Sequence, residues 1–113
     1  GDDSLYVFEA PIDLLSYITL YPDGWERHNY VACCGVSTIP VMESLRRMGQ
    51  PRQVFLCLDN DAAGQTANQR MAEQIKAQFG IAAEIIIPAA KDWNEDLCAM
   101  YGAPEPVLSM GRG

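Results

Sequence analysis

At 113 residues, 49% of them apolar and 20% charged, the chain has the size of one domain and enough apolar side chain to bury a core, which excludes a disordered segment. No stretch approaches the ~20 consecutive apolar residues that a membrane span needs, and the amino end, Gly-Asp-Asp-Ser, is not the basic-then-apolar start of a secretory leader. Eight Lys and Arg against 15 Asp and Glu leave a net charge of −7, which argues against tight nucleic-acid binding by this piece alone, because phosphate contacts come from Lys and Arg.

Apolar runs and helical spacing alternate along the chain. Leu5-Tyr6-Val7-Phe8 reads as a first strand ending in Glu9. A helix is predicted from Pro11, where a missing N–H costs nothing, to about Tyr21, with Leu14, Leu15 and Ile18 on one face. Pro22-Asp23-Gly24 closes it, and Tyr30 to Cys33 forms a second strand ending near Gly35. Ser37 or Thr38 caps a helix starting around Pro40 with Val41, Leu45 and Met48 inward, and Gly49 fits its stop. A third strand covers 54–58 and a helix about 63–79, with Ala63, Ala67, Met71, Ile75 and Phe79 at i+4 spacing. A fourth strand, 83–87, stops at Pro88, and a last short helix spans about 93–101. Alternating β/α units with nearly continuous apolar strands imply an α/β fold, a parallel sheet covered on both faces.

In such sheets ligands bind outside the carboxyl ends of the strands, where the winding reverses. Glu9, Gly35, Asp59, Asp61 and Pro88 all fall at those ends. Leu58-Asp59-Asn60-Asp61-Ala62-Ala63-Gly64 places two carboxylates one residue apart before a small-residue turn into a helix. Such a pair repels itself unless a cation or proton sits between its members, and Mg²⁺ takes oxygen ligands of this kind. Asp59 and Asp61 therefore read as half of a magnesium site and Glu9 as the other half. Sharing one cation requires the first and third strands to be neighbours, with the second beyond the first and the fourth beyond the third. The plainer role for either aspartate is to cap the following helix, and for Glu9 to face a helix dipole. Asp13, in the first turn of the first helix, divides between a dipole contact and a supporting role at the site. Asp92 either caps the last helix or adds to a second metal position. Lys91 is placed to meet a phosphate or balance the carboxylates, and Gly35-Val36-Ser37 offers backbone amides to a phosphate at a helix entrance. Asn94 and Asp96 read as structural, Trp93 as an amphipathic anchor on the surface, and His28 as a solvated loop residue.

Four pieces, Phe8-Glu9-Ala10-Pro11-Ile12-Asp13, Gly35-Val36-Ser37, Leu58 to Gly64 and Lys91-Asp92-Trp93-Asn94-Glu95-Asp96-Leu97, in this order resemble the Toprim domain. This catalytic module is shared by bacterial-type primases, type IA and type II topoisomerases and some nucleases and recombination proteins. The last piece is most similar to the Toprim modules of primase-like proteins on plasmids and other mobile elements. The resemblance implies a three-layer α/β/α, Rossmann-like fold with a mainly parallel sheet of about four strands. It implies that Glu9, Asp59 and Asp61 are catalytic, Glu9 as metal ligand or general acid/base, with the aspartates holding Mg²⁺, or Mn²⁺, for nucleotidyl or phosphoryl transfer. DNA, and nucleotides, are the implied partners, reached through further domains. Ala10 departs from the pattern, standing where primase-type modules commonly have Gly, and no third acid closely follows Asp61. No tyrosine has a context that marks it as a topoisomerase nucleophile.

The start at Gly1 without an initiator methionine and the abrupt end at Gly111-Arg112-Gly113 suggest a single domain, 1–113, cut from a larger multidomain protein. Cys33, Cys34 and Cys57 fall within predicted strands, and with Cys98 they read as small hydrophobes of a reducing cytoplasm. Two competing readings are a Toprim scaffold without turnover and a phospho-receiver domain. The second lacks the required acidic pair after the first strand.

Overall fold

The computed structural model describes residues 3–34, 37–49 and 51–101; Gly35, Val36 and the segment after Tyr101 lie outside the described residues. Five apolar-rich residues form β1 (Ser4–Phe8), and β2 (Asn29–Ala32), β3 (Gln53–Leu56) and β4 (Glu84–Ile85) complete one sheet. Between and after them run α1 (Pro11–Leu20), α2 (Ile39–Met48), α3 (Ala62–Phe79) and α4 (Trp93–Met100), with a 3-10 turn at Trp25–Arg27. Pro11 occupies the first turn of α1 after an extended Ala10. Gly80 ends α3 in the left-handed region, at φ 70°, where a side chain would be strained.

All strand pairs are parallel, in the order β2-β1-β3-β4. This is the order that a shared Glu9–Asp59 site demands. The chain steps from β1 to β2 on one side, then returns to place β3 on the other side of β1, so the winding reverses between β1 and β3.

Alternation along the strands divides the core in two. Leu5, Val7, Val54 and Leu56 face α2 and α3, meeting Val41, Leu45, Ala67, Met71 and Ile75. Phe8 and Cys57 face the other way, with Tyr6, Tyr30 and Phe55, and meet Leu14 and Tyr17 of α1 and Trp93 of α4. Helices on both faces make the three layers expected. Tyr30, Tyr6 and Phe55 lie in one row across β2, β1 and β3, and the Tyr6 ring stacks on Phe55 at 4.6 Å and on Tyr30 at 5.5 Å between centroids.

Several local expectations are corrected. Trp93 is not a surface anchor: it is 3% exposed, and its indole Nε1 donates to the Cys57 carbonyl at 2.9 Å. His28 is half-buried, its Nδ1 3.0 Å from Ser4 Oγ and its ring 5.1 Å from that of Tyr6. Cys34 lies beyond the end of β2, exposed, at φ 52°. The fourth strand is shorter than its apolar run: Glu84 and Ile85 stand opposite Phe55 and Leu56 of β3, and the ladder ends where the Ile86 N–H donates to the Leu56 carbonyl at 2.9 Å. Beyond them Ile86 packs inward while Ile85 and Ile87 stay exposed on the sheet edge.

Candidate metal centre at the carboxyl end of the sheet

In open α/β sheets a reversal of winding, here between β1 and β3, marks the crevice outside the carboxyl ends of the strands, and acidic side chains come to that end from four segments. Glu9 leaves β1 directly, and its Oε1 accepts the backbone N–H of Asp59 at 3.2 Å, joining the ends of the two strands. Asp61 is the N-cap of α3, its Oδ1 accepting from the Gly64 N–H at 2.7 Å. Gly64 is required by the sharpness of this turn. A Cβ there would lie 2.0 Å from the Asp59 carbonyl oxygen, so only glycine lets the first turn of α3 rest on the backbone of Asp59. Asp92 caps α4, its Oδ1 accepting from the Glu95 N–H at 2.8 Å.

The loop bearing Lys91 and Asp92 is tied down from both sides. Asn60, between the two aspartates, donates its backbone N–H to the Lys91 carbonyl at 2.6 Å and its side-chain amide to the Pro88 carbonyl at 3.1 Å. Asp96 accepts the Ala90 and Ala89 N–H groups at 2.6 and 2.9 Å. From below, Asp13 of α1, only 4% exposed, accepts the Asn94 N–H at 3.3 Å. In the sequence Asn60 reads as the one-residue spacer between Asp59 and Asp61. No pattern in the chain marks it, because its partners are two carbonyls of a loop some thirty residues away.

These carboxylates feel one another. Burial, followed by the charges of Glu9, Asp13, Asp92 and Asp61, pushes the Asp59 carboxyl from 3.8 up to about 7. Burial and then the charge of Asp92 lift Asp13 to about 6, against the pull of the Asn94 amide. The Asp59 Oδ1 atom is buried with no hydrogen-bond partner, a costly state for a carboxylate oxygen that a proton or cation relieves.

Among the described residues no group of three or more His, Cys, Asp or Glu side chains is arranged to hold a metal ion by itself. Mg²⁺ does not need one: it keeps several waters and binds through one or two carboxylates plus substrate phosphates. The all-oxygen donor set, the orphaned Asp59 oxygen and the neighbouring Glu9 fit that mode of binding. Asp61 and Asp92 each spend one oxygen on a helix cap. Of the candidate phosphate contacts, Lys91 and Ser37 are exposed, and Ser37 Oγ accepts the Ile39 N–H at 3.3 Å. Gly35 lies outside the described residues.

Comparison with known proteins covers the same elements. Over 95 residues the chain is 28% identical to the uncharacterized protein MG010 of Mycoplasma genitalium, which takes in 83% of this chain and 41% of that one. Its fold matches the crystal structure of the primase fragment of the bacteriophage T7 primase-helicase protein with a TM-score of 0.67, over 96% of this chain and 44% of that one, at 23% identity. The chain thus spans less than half the length of either protein. The family model described as Toprim-like matches residues 6–97, from within β1 into α4 and across every acidic position described above. The chain belongs to the Toprim-like family.

Proposed function

We propose that this chain is the Mg²⁺-binding catalytic module of a DNA-processing enzyme, of primase-like type, carrying out nucleotidyl or phosphoryl transfer. The observation that carries the reading is Asp59: a partly buried carboxyl with an orphaned oxygen, raised to about 7, beside Glu9 where the sheet's winding reverses. Glu9 and Asp59 would hold the ion, with Asp61 and Asp92 contributing the oxygens not used for capping; Mn²⁺ would serve in place of Mg²⁺. When bound, the cation neutralises phosphate charge and draws the reacting oxygens together. The chain's own part is to fix the carboxylates on strand ends and helix caps, so that little reorganisation accompanies binding. Lys91 and Ser37, both exposed, are the proposed phosphate contacts, with Gly35. The acidic balance assigns the main grip on DNA to basic surface in further domains of a longer, cytoplasmic protein. Among the described residues no helix is long and apolar enough to cross a membrane.

A Toprim scaffold without turnover is the second reading, favoured by the engagement of both Asp61 and Asp92 as helix caps. Calorimetric titration with Mg²⁺ and Mn²⁺ separates the two readings. Saturable binding that disappears in an Asp59→Asn, Asp61→Asn double variant supports the catalytic module and leads to polymerase and nicking assays on the longest natural form of the protein. Binding retained in the double variant would remove the site assignment. Absence of binding, both alone and with DNA present, would favour the scaffold.

A further inference from the structure

Asp13 is the least expected member of the acidic group, because it is almost wholly buried and its carboxylate engages another helix. It sits in the first turn of α1, where an acid has a local reason to be: the positive end of its own helix. Its hydrogen bond goes elsewhere, to the backbone N–H of Asn94 in the first turn of α4. Ser16, one turn further along α1 and 2% exposed, lies 3.5 Å from the Asn94 side-chain oxygen and donates to the Ile12 carbonyl at 2.7 Å. Asn94 is itself 5% exposed. A buried polar contact of Asp13, Ser16 and Asn94 thus joins α1 to α4, in a layer otherwise packed by aromatic rings. The amino end of α4 carries two carboxylates, Asp92 from its own cap and Asp13 from α1. Burying a charge is expensive unless hydrogen bonds and dipoles receive it, and here the receiver is the helix whose cap is Asp92.

We infer that Asp13 is a positioning residue: by accepting the Asn94 amide it fixes the amino end of α4, and so holds the Asp92 carboxylate at the crevice. The metal-affinity part of this inference rests on the proposed site, whereas the coupling of α1 to α4 does not. Removing a group that orients a metal ligand typically weakens affinity 10–100-fold.

The test compares the protein with Asp13→Asn, Asp13→Ala, Asp92→Asn and the Asp13→Ala, Asp92→Asn double variant, by amide hydrogen exchange and Mn²⁺ calorimetry. Asn keeps an oxygen that accepts the Asn94 N–H, so Asp13→Asn is expected to stay within about threefold of the parent in Mn²⁺ affinity. Asp13→Ala is expected to lose about tenfold and to speed exchange at Asn94 selectively, with no further affinity loss once Asp92 is already Asn. An equal loss in Asp13→Asn and Asp13→Ala would make Asp13 a metal ligand instead and overturn the inference. Unchanged exchange at Asn94 in Asp13→Ala would overturn it too. If Asp13→Ala does not fold, Asp13→Ser replaces it with the same expected outcomes. A parent protein that binds no Mn²⁺ would count against the proposed site, while the exchange comparison would still decide whether Asp13 holds α4.

Discussion

Replacing Asp59 by Asn is expected to stabilise the metal-free protein in neutral and alkaline solution and to change little in acid. The folded protein holds this carboxyl at about 7 against an ordinary 3.8, first because of burial and then because Glu9, Asp13, Asp92 and Asp61 repel its ionised form. Between those two values the unfolded chain has released the proton while the native state keeps it. The unfolded state therefore binds fewer protons, and stability falls as pH rises from about 4 to about 7, then levels off. A difference of this size amounts to about 4 kcal/mol for a fully buried group at about 1.36 kcal/mol per pH unit. Asp59 is only partly buried, and solvent screening brings the figure to ~2 kcal/mol. The Asn side chain has the same shape and no charge, so the variant should gain that ~2 kcal/mol at pH 8, or roughly 8 °C in Tm for a domain of this size. Asp13, raised to about 6, titrates in the same window. The slope of the parent protein thus belongs to both groups, and the difference between parent and variant isolates Asp59. Thermal unfolding followed by circular dichroism from pH 4 to 8.5, in chelator, measures it. Adding Mg²⁺ at 100 times its Kd should return about 2.7 kcal/mol to the parent and much less to the variant. An Asp59→Asn protein no more stable than the parent at pH 8 in chelator would refute the claim that the ionised carboxylate is repelled where it stands.

Gly64→Ala should destabilise by about 3 kcal/mol in urea unfolding, because the added Cβ meets the Asp59 carbonyl oxygen at 2.0 Å and the collision is with backbone. Trp93→Phe keeps a six-membered aromatic ring but removes the pyrrole half of the buried indole and with it the donor to the Cys57 carbonyl. Leaving that acceptor unpaired in the core should cost ~2 kcal/mol, read from the same unfolding curves. Of the four cysteines, Cys34 alone is exposed, while burial raises the Cys33 thiol to about 11 and pushes Cys57 up as well. A colorimetric thiol reagent at pH 8 should label one equivalent quickly and the other three only after denaturation.

The fold was legible because parallel strands covered on both faces are short apolar runs, and Leu5–Phe8 and Val54–Leu58 show them without ambiguity. Strand order came from chemistry: two acids can share a cation only if their strands are neighbours, and β1 and β3 are. The misreadings have one cause, the dependence of burial on partners far along the chain. Trp93 follows two polar residues and precedes three more, so nothing nearby shows that its indole reaches the carbonyl of Cys57 between two helices. His28 stands in a polar segment, yet the aromatic side chains of β1 and β2 shelter it. Ile85 to Ile87 promise a full strand, but an edge position gives pairing only on one side, and the ladder ends early. At the site the carboxylates were visible as residue types. Their supports, Asn60 on two loop carbonyls and Asp13 on α4, act through backbone contacts that leave no spacing rule.

The acidic crevice raises a question of folding as much as of function, since five carboxylates crowd one end of a 113-residue domain. The helices supply the answer. Asp61 faces the amino end of α3, and Asp92 and Asp13 face that of α4, each accepting a backbone N–H that the helix leaves unpaired. Glu9 accepts the amide of Asp59. Four of the five carboxylates are thus met by peptide dipoles, which need no metal to be in place. Asp59 has no such partner for its buried Oδ1, and the repulsion of the other four falls on it. In the proposed site this arrangement therefore meets four of the charges without a cation and leaves Asp59 as the carboxylate that would gain most from one. A site built in this way loses stability at Asp59 and, to a smaller extent, at Asp13, while Asp61 and Asp92 stay engaged as helix caps, which is why the Asp59→Asn experiment separates folding from metal binding more cleanly than substitution of any capping aspartate.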